Sequence, residues 1–186
     1  MENATKIRKR LLRLIKEKAY HPGAITLASG KVSDYYIDAR AVTLSSEGAY
    51  CVGRLLFELV KGEAVQAVGG PTLGADPLVG ALAAVSFDLK KPINTFLVRK
   101  TPKSHGRMLQ VEGPVLEAGE SVILVDDVAT TGGSLIDAIG VLEKMDVRVK
   151  KAIVVVDRQE GAAENLAAKG CALVSLFKAS EFRARP

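Results

Sequence analysis

The sequence predicts an α/β fold, in which a mostly parallel sheet is flanked by helices on both faces. Apolar strand-like runs alternate with helical segments after residue 46, and this alternation is typical of such a sheet. The chain has 186 residues, of which 48% are hydrophobic, enough for one substantial core. We therefore expect a single domain over residues 1–186, with an N-terminal helix and hood at about 1–45 and a ligand-binding core at about 46–178.

The first predicted element is an amphipathic helix near the N-terminus. Its helical spacing is shown by Ile7, Leu11, Leu14, Ile15 and Lys18. Residues 1–20 hold seven Lys and Arg against two Glu, and the rest of the chain has 19 charges of each sign, so this segment carries the whole +5 net charge. We interpret the bases as a solvated helix face, with a polyanion-binding arm as the alternative.

The later elements follow in order. Residues 25–40 alternate around a Ser29-Gly30 turn, which predicts a short hairpin or hood. The pattern then predicts a helix at 47–61, an apolar strand-like run at 64–70, a helix at 74–86, a strand at 93–98, a polar loop at 99–113, a strand at 121–125, a helix at 133–145, a strand at 152–156, a helix at 160–169 and a strand at 172–177. Ligands bind at the carboxyl ends of such strands, which directs attention to the loops after residues 68, 98, 125 and 156.

Several protein classes are disfavoured by composition. No run reaches the roughly 18 to 20 apolar residues that a membrane span needs, and the charged N-terminus lacks a secretory apolar stretch. Cys51 and Cys171 have neither metal-ligand nor disulfide spacing. We expect a cytoplasmic protein with no membrane partner.

The most informative segment runs from Val122 to Ser134 and reads VILVDDVATTGGS. Its apolar residues predict a buried strand that ends in two carboxylates, and its small residues open a helix. Small side chains let the backbone N–H groups of residues 129–134 point inward, where a helix N-terminus adds partial positive charge. The segment therefore predicts a phosphate seat, with Asp126 and Asp127 accepting hydrogen bonds from a ribose diol. Its spacing fits neither a Walker loop nor a dinucleotide-binding loop.

This segment resembles the phosphoribosyl pyrophosphate (PRPP) motif of the type I phosphoribosyltransferase family, whose fold the resemblance also implies. A glycine-rich turn with two solvated acids is the alternative. The resemblance implies a catalytic role for Asp126 and Asp127. The PRPP-binding residues it implies here are Asp126, Asp127, Val128, Ala129, Thr130, Thr131, Gly132, Gly133 and Ser134.

A second segment, FLVRKTPKSHG at Phe96–Gly106, resembles the catalytic loop of the orotate phosphoribosyltransferase family. The resemblance implies a catalytic role for Lys103 and binding of the PRPP pyrophosphate by Arg99, Lys100, Lys103 and His105. Residues 98–111 also carry four Lys and Arg and no acid, which independently favours a polyanion ligand. A merely solvated basic loop is the alternative.

Two further segments resemble orotate-binding motifs of the same family. Residues 25–40 resemble its hood, which implies that Tyr35 and Tyr36 contact orotate, although ordinary packing of strand tyrosines is the alternative. The segment VDRQEGA at Val156–Ala162 resembles a signature in which Arg158 binds the orotate carboxylate. An unpaired arginine would be costly in a purine pocket, so Arg158 favours orotate. A surface ion pair is the alternative.

The chain also departs from the bacterial members of this family. Ala28 stands where they have a PRPP-contacting lysine, and Leu73-Gly74 stands where they have Tyr-Lys. We interpret these departures as an archaeal-like branch of the family or as weaker reliance on side-chain charge.

The resemblance implies transfer of the 5-phosphoribosyl group of PRPP to orotate, giving orotidine 5′-monophosphate and pyrophosphate in de novo pyrimidine biosynthesis. It further implies Mg²⁺ held mainly by substrate, Thr130 near orotate, and a homodimer whose 99–113 loop reaches the neighbouring active site. The alternatives are a phosphoribosyltransferase for another base and a PRPP-binding transcriptional regulator. Residues 1–24 leave no room for a helix-turn-helix, so we expect no nucleic-acid partner.

Overall fold

The computed structural model of the protein describes residues 2–26, 32–101 and 110–183. The helices are α1 (Ala4–Lys18), α2 (Arg40–Thr43), α3 (Ser46–Val60), α4 (Asp76–Asp88), α5 (Gly133–Glu143), α6 (Ala162–Ala167) and α7 (Ser180–Arg183). The strands are β1 (Tyr20–Thr26), β2 (Val32–Ile37), β3 (Ala67–Pro71), β4 (Asn94–Val98), β5 (Val111–Glu112), β6 (Ser121–Ala129), β7 (Arg148–Asp157) and β8 (Ala172–Lys178).

The main sheet has the order β5-β4-β3-β6-β7-β8. Strands β4, β3, β6, β7 and β8 pair in parallel, and the short β5 pairs antiparallel with β4 at one edge. The predicted α/β class with a mostly parallel sheet is confirmed. From β3 the chain passes outward to β4 and then returns to β6 on the other side of β3. This reversal opens a crevice at the carboxyl ends of β3 and β6.

Alternation along the central strands divides the core between the two faces of the sheet. In β6, Ile123 and Val125 belong to the apolar cluster that contains residues of α1, α3 and α4. Val122 and Leu124 point to the other face and join the cluster formed with α5 and α6. Residues 122–125 of β6 are therefore buried on one face or the other, which explains why this run is apolar without a break.

Helix α1 buries the predicted apolar positions, which are Ile7, Leu11, Leu14 and Ile15. Its bases are less free than a solvated face implies. Arg8 donates to Glu181 at 2.7 Å and lies over the ring of Phe177, and Arg10 is paired with Glu47. These two arginines stay partly solvated, with 42% and 39% of their side chains exposed, and are also held by acids from distant segments.

Several predicted boundaries were wrong, including the start of β7, which is Arg148 rather than residue 152. Two others have a clear structural cause. The hairpin begins at Tyr20 rather than Ile25, because the Tyr20 ring stacks on Tyr35 at 5.7 Å and anchors β1 to β2. Strand β6 continues to Ala129, since its pairing with β7 extends through Asp126 to Ala129. The two carboxylates therefore lie within the strand rather than after it.

Candidate active site

A cleft of about 470 Å³ opens at the carboxyl edge of the sheet, beside the end of β6. The loop after β3, the end of β6 and the residues after β2 form its walls. Of the residues that the sequence singled out, the cleft brings together Tyr36, Lys100, Asp126, Asp127, Val128, Thr130, Thr131, Ser134 and Arg158. A smaller adjoining cavity of about 220 Å³ is lined by Asp126 and by the continuous segment Val128–Leu135, which includes Ala129, Gly132 and Gly133.

Paired carboxylates occupy the end of β6. Asp126 is 7% exposed, and its Oδ1 accepts from the backbone N–H of Asp127 at 2.9 Å. Asp127 Oδ1 in turn accepts from the N–H of Val128 at 2.7 Å. Burial, followed by the charge of Asp127, raises the pKa of Asp126 well above its ordinary value. Burial also raises the pKa of Asp127, against the opposing effects of the Val128 N–H and the charge of Arg40.

The raised pKa of Asp126 leads to a prediction about stability. A carboxyl that binds its proton more tightly in the folded state than in the unfolded chain lowers stability as the pH rises above its unfolded pKa of about 4. We expect Asp126→Asn to raise the Tm at pH 8 by a few degrees, since 1 kcal/mol shifts the Tm of such a chain by about 2–4 °C. Calorimetry at pH 4 and pH 8 measures the effect. The control is Asp88→Asn, which changes an exposed carboxylate. If Asp126→Asn raises the Tm equally at pH 4 and pH 8, the gain does not come from the raised pKa of Asp126.

The turn after β6 leaves backbone donors without partners. No described residue accepts a backbone hydrogen bond from the N–H groups of Thr130, Thr131 or Gly132. Gly133 and Ser134 are the first residues of α5, where N–H groups have no intrahelical partner, and Gly132 caps this helix with a φ of 80° and without a side-chain hydrogen bond. Asn165 donates to the Thr131 carbonyl at 2.9 Å and so supports the turn from α6. This arrangement suits an anion.

Arg158 is held in a buried cluster beside the cleft. Its side chain is 3% exposed, its Nε donates to Glu160 Oε1 at 2.9 Å, and its Nη2 donates to Ser33 Oγ at 2.9 Å. The guanidinium lies 4.4 Å from the centroid of the Tyr35 ring. Among the described residues Nη1 has no hydrogen-bond partner. The Arg158 backbone N–H donates to the Ala129 carbonyl at 2.9 Å and so ties this cluster to the turn after β6.

The two tyrosines of the hairpin lie in different environments. Tyr35 is fully buried, and its hydroxyl lies 3.5 Å from Glu160 Oε1. Tyr36 is partly exposed, lines the cleft, and lies 6.4 Å from the His21 ring. Only Tyr36 of the pair therefore lines the cleft, and the ring of Tyr35 packs under Arg158 instead.

The basic loop is described only at its ends. Lys100 is exposed and lines the cleft, whereas Lys103 and His105 lie outside the described residues. Arg99 Nη1 lies 3.3 Å from Glu112 Oε1, so Arg99 has an acid partner although residues 98–111 contain no acid. Glu112 lies on β5, one residue beyond the segment 98–111 that contains no acid.

Sequence reasoning passed over Arg40 and interpreted Gly74 only as the absence of a lysine. Arg40 begins α2 and lines the cleft, and its charge acts on the Asp127 carboxyl. Gly74 follows the cis peptide Thr72–Leu73, and a Cβ atom on Gly74 would meet Asp126 Oδ1. The two carboxylates therefore occupy the space that a side chain at position 74 would need, and a larger residue here would require them to shift. Gly74 was visible in the sequence as a departure from the family's Tyr-Lys pair. In contrast, nothing in the sequence marked Arg40 except its place at the end of the hood.

Two kinds of feature are absent from the described part of the chain. None of its helices has the length and apolar character to cross a membrane. No group of three or more His, Cys, Asp or Glu side chains within it is arranged to hold a metal ion.

Comparisons with known proteins give consistent similarities. Residues 48–179 match the phosphoribosyl transferase domain family. The orotate phosphoribosyltransferase of Thermosynechococcus vestitus is 45% identical over 183 residues, which cover 98% of this chain and 96% of that protein. The solved structure of Mycobacterium tuberculosis orotate phosphoribosyltransferase in complex with Fe(III) dicitrate superposes with a TM-score of 0.83 at 35% identity, covering 96% of this chain and 99% of that one. Its complex with 5-phospho-alpha-D-ribosyl 1-diphosphate gives a TM-score of 0.78 at 32% identity, with the same coverage.

Proposed function

Since this chain belongs to the orotate phosphoribosyltransferase family, we propose a role in that reaction for each part of its cleft. The enzyme transfers the 5-phosphoribosyl group of PRPP to orotate and releases pyrophosphate. The observation that carries the proposal is the junction of three features in one cleft: a turn with unpartnered N–H groups, paired carboxylates and a buried arginine.

The 5′-phosphate of PRPP binds the turn after β6 in this proposal. The N–H groups of residues 130–134 and the N-terminus of α5 supply donors and partial positive charge without any side-chain cation. The ribose hydroxyls then face Asp126 and Asp127, which are acceptors when ionised. Gly74 supports this arrangement because it leaves the carboxylates uncovered by a side chain.

Mg²⁺ is the proposed cofactor, and the donor set fits it. Mg²⁺ commonly takes one or two carboxylates together with phosphate oxygens and water, and Asp126 and Asp127 are two carboxylates beside the proposed ribose site. Substrate oxygens would provide most of its remaining ligands. When bound, the ion neutralises charge that develops on the departing pyrophosphate.

Orotate lies against Arg158, Thr130 and Tyr36 in this proposal. Arg158 is already paired with Glu160 and Ser33, which fix its plane, while Nη1 remains for the orotate carboxylate. Tyr35 supports Arg158 from below through its ring.

The chain's residues have two electrostatic tasks during transfer. The C1–O bond of the ribose loosens before the base nitrogen arrives, with inversion at C1, so positive charge develops on the ribose and negative charge on the leaving group. Lys103, with Arg99, Lys100 and His105, stabilises the leaving pyrophosphate. The carboxylates, the turn and Arg158 hold ribose and base in line, which lowers the entropic part of the barrier.

We further propose that residues 1–186 act as one catalytic domain in a cytoplasmic homodimer with shared active sites.

The base specificity requires a direct test, because Arg158 is paired with Glu160 even without orotate. Arg158 already has an acid partner in Glu160, so a purine pocket would not leave it unpaired. We expect orotate to be consumed in the presence of PRPP and Mg²⁺, and uracil, adenine and hypoxanthine to be left unchanged, because only orotate offers Arg158 a carboxylate. The loss of orotate absorbance measures the reaction, with chromatography for the other bases. Equal or faster turnover of uracil would contradict the assignment.

A further inference from the structure

A second cavity adjoins the cleft, in addition to the smaller one that is lined by the turn after β6 (residues 130–134, hereafter the phosphate turn). No residue of this turn lines the second cavity. Its volume is about 480 Å³, and it is lined by Arg40, Thr72, Leu73, Arg99, Lys100 and Thr101. Three of these residues are cations, and none is an acid. In contrast, the main cleft has Asp38, Asp126 and Asp127 alongside its three described cations. The second cavity is therefore the more electropositive part of this region.

Arg40 follows the hood hairpin and lines both the cleft and the second cavity. Its side chain is 46% exposed, and its ion pair with Asp38 is long at 3.9 Å. An exposed pair of this kind contributes little, so the guanidinium is available to an external anion. Arg99 is less available, since it lies 3.3 Å from Glu112.

We propose that Arg40 binds the pyrophosphate group of PRPP and replaces the lysines that are absent at positions 28 and 74. This inference rests on the proposed function, because it takes PRPP as the ligand. The pyrophosphate extends from the ribose away from the phosphate turn, towards the electropositive cavity. A guanidinium suits this task because its planar fork donates two parallel hydrogen bonds to phosphate oxygens.

The position of Arg40 also explains how the chain works without a side chain at Gly74. A Cβ atom on Gly74 would meet the side-chain oxygens of Asp126 and Asp127, so a longer side chain at this position requires these carboxylates to shift. Arg40 reaches the same region from α2, which leaves the backbone of residues 72–74 close to Asp126 and Asp127.

The test is binding of inorganic pyrophosphate and of ribose 5-phosphate, each with Mg²⁺, by isothermal titration calorimetry. We expect Arg40→Ala to weaken pyrophosphate binding about 10- to 100-fold, the range for a lost charged hydrogen-bonding partner. Ribose 5-phosphate affinity stays within about twofold, because its phosphate is bound by the turn after β6. In steady-state kinetics the KM for PRPP rises and the KM for orotate does not. Arg40→Lys recovers part of the loss, since it keeps the charge and loses the fork.

The control is Arg13→Ala, which removes an exposed arginine with an equally long 3.9 Å ion pair on α1, outside both cavities. Equal pyrophosphate affinities for Arg40→Ala and Arg13→Ala would overturn the inference, and so would equal losses for pyrophosphate and ribose 5-phosphate. A wild-type protein that binds pyrophosphate through Arg40 but leaves orotate unconsumed would contradict the proposed function and not the role of Arg40.

Discussion

Arg158→Ala is expected to weaken orotate binding by about 2 to 4 kcal/mol, the cost of losing a buried charged hydrogen-bonding partner. This corresponds to roughly 30- to 700-fold in Kd. PRPP affinity is expected to change far less, because the phosphate turn and the carboxylates remain. Titration of each ligand separately measures the two affinities.

The contacts of Arg158 define the competing explanation. The side chain joins Ser33 of the hairpin to Glu160, so its loss also removes two hydrogen bonds within the protein. Glu160→Gln is a matched variant, because it weakens the same cluster while it retains the guanidinium. We expect it to lower orotate affinity less than Arg158→Ala does. Equal effects of Arg158→Ala on both ligands would mean that Arg158 has only a structural role.

The second large effect is expected from subunit mixing. Lys103→Ala should lower kcat on the order of 100-fold or more, because Lys103 acts on charge that builds on the leaving group. Asp127→Asn should also be nearly inactive. If the loop that carries Lys103 serves the neighbouring subunit, a mixed dimer contains one site with both lesions and one intact site. Random pairing makes about half of the dimers mixed, so about a quarter of wild-type activity should return after the two variants are unfolded and refolded together.

The control for subunit mixing is a pull-down with two different tags, which demonstrates that mixed dimers have formed. Each variant refolded alone should stay inactive. If mixed dimers form and no activity returns, the loop acts within its own chain, because every site then retains one lesion.

Local patterns were sufficient for most of the fold. The apolar runs of β6 and β7 and the spacing within α1 involve residues that are neighbours in the chain, so their periodicity is visible directly. The phosphate turn was predictable for the same reason. Thr130 to Ser134 are consecutive in the sequence, and their small side chains indicate an accessible backbone. Boundaries were harder: β6 is extended by pairing with β7, and the hairpin by the packing of Tyr20 on Tyr35.

The partners of the charged residues depend on the tertiary structure. Arg158 lies 125 positions from Ser33 in the sequence, and Arg99 finds its acid partner on the antiparallel edge strand β5. Neither pairing leaves a periodic signal in the sequence. A hydrogen bond or an ion pair depends on the distance between two side chains in space and not on their spacing along the chain. Arg40 is the strongest example. Its sequence neighbours mark only the end of a hairpin, and it becomes a candidate pyrophosphate ligand only where α2, the loop after β3 and the end of β4 meet around one cavity.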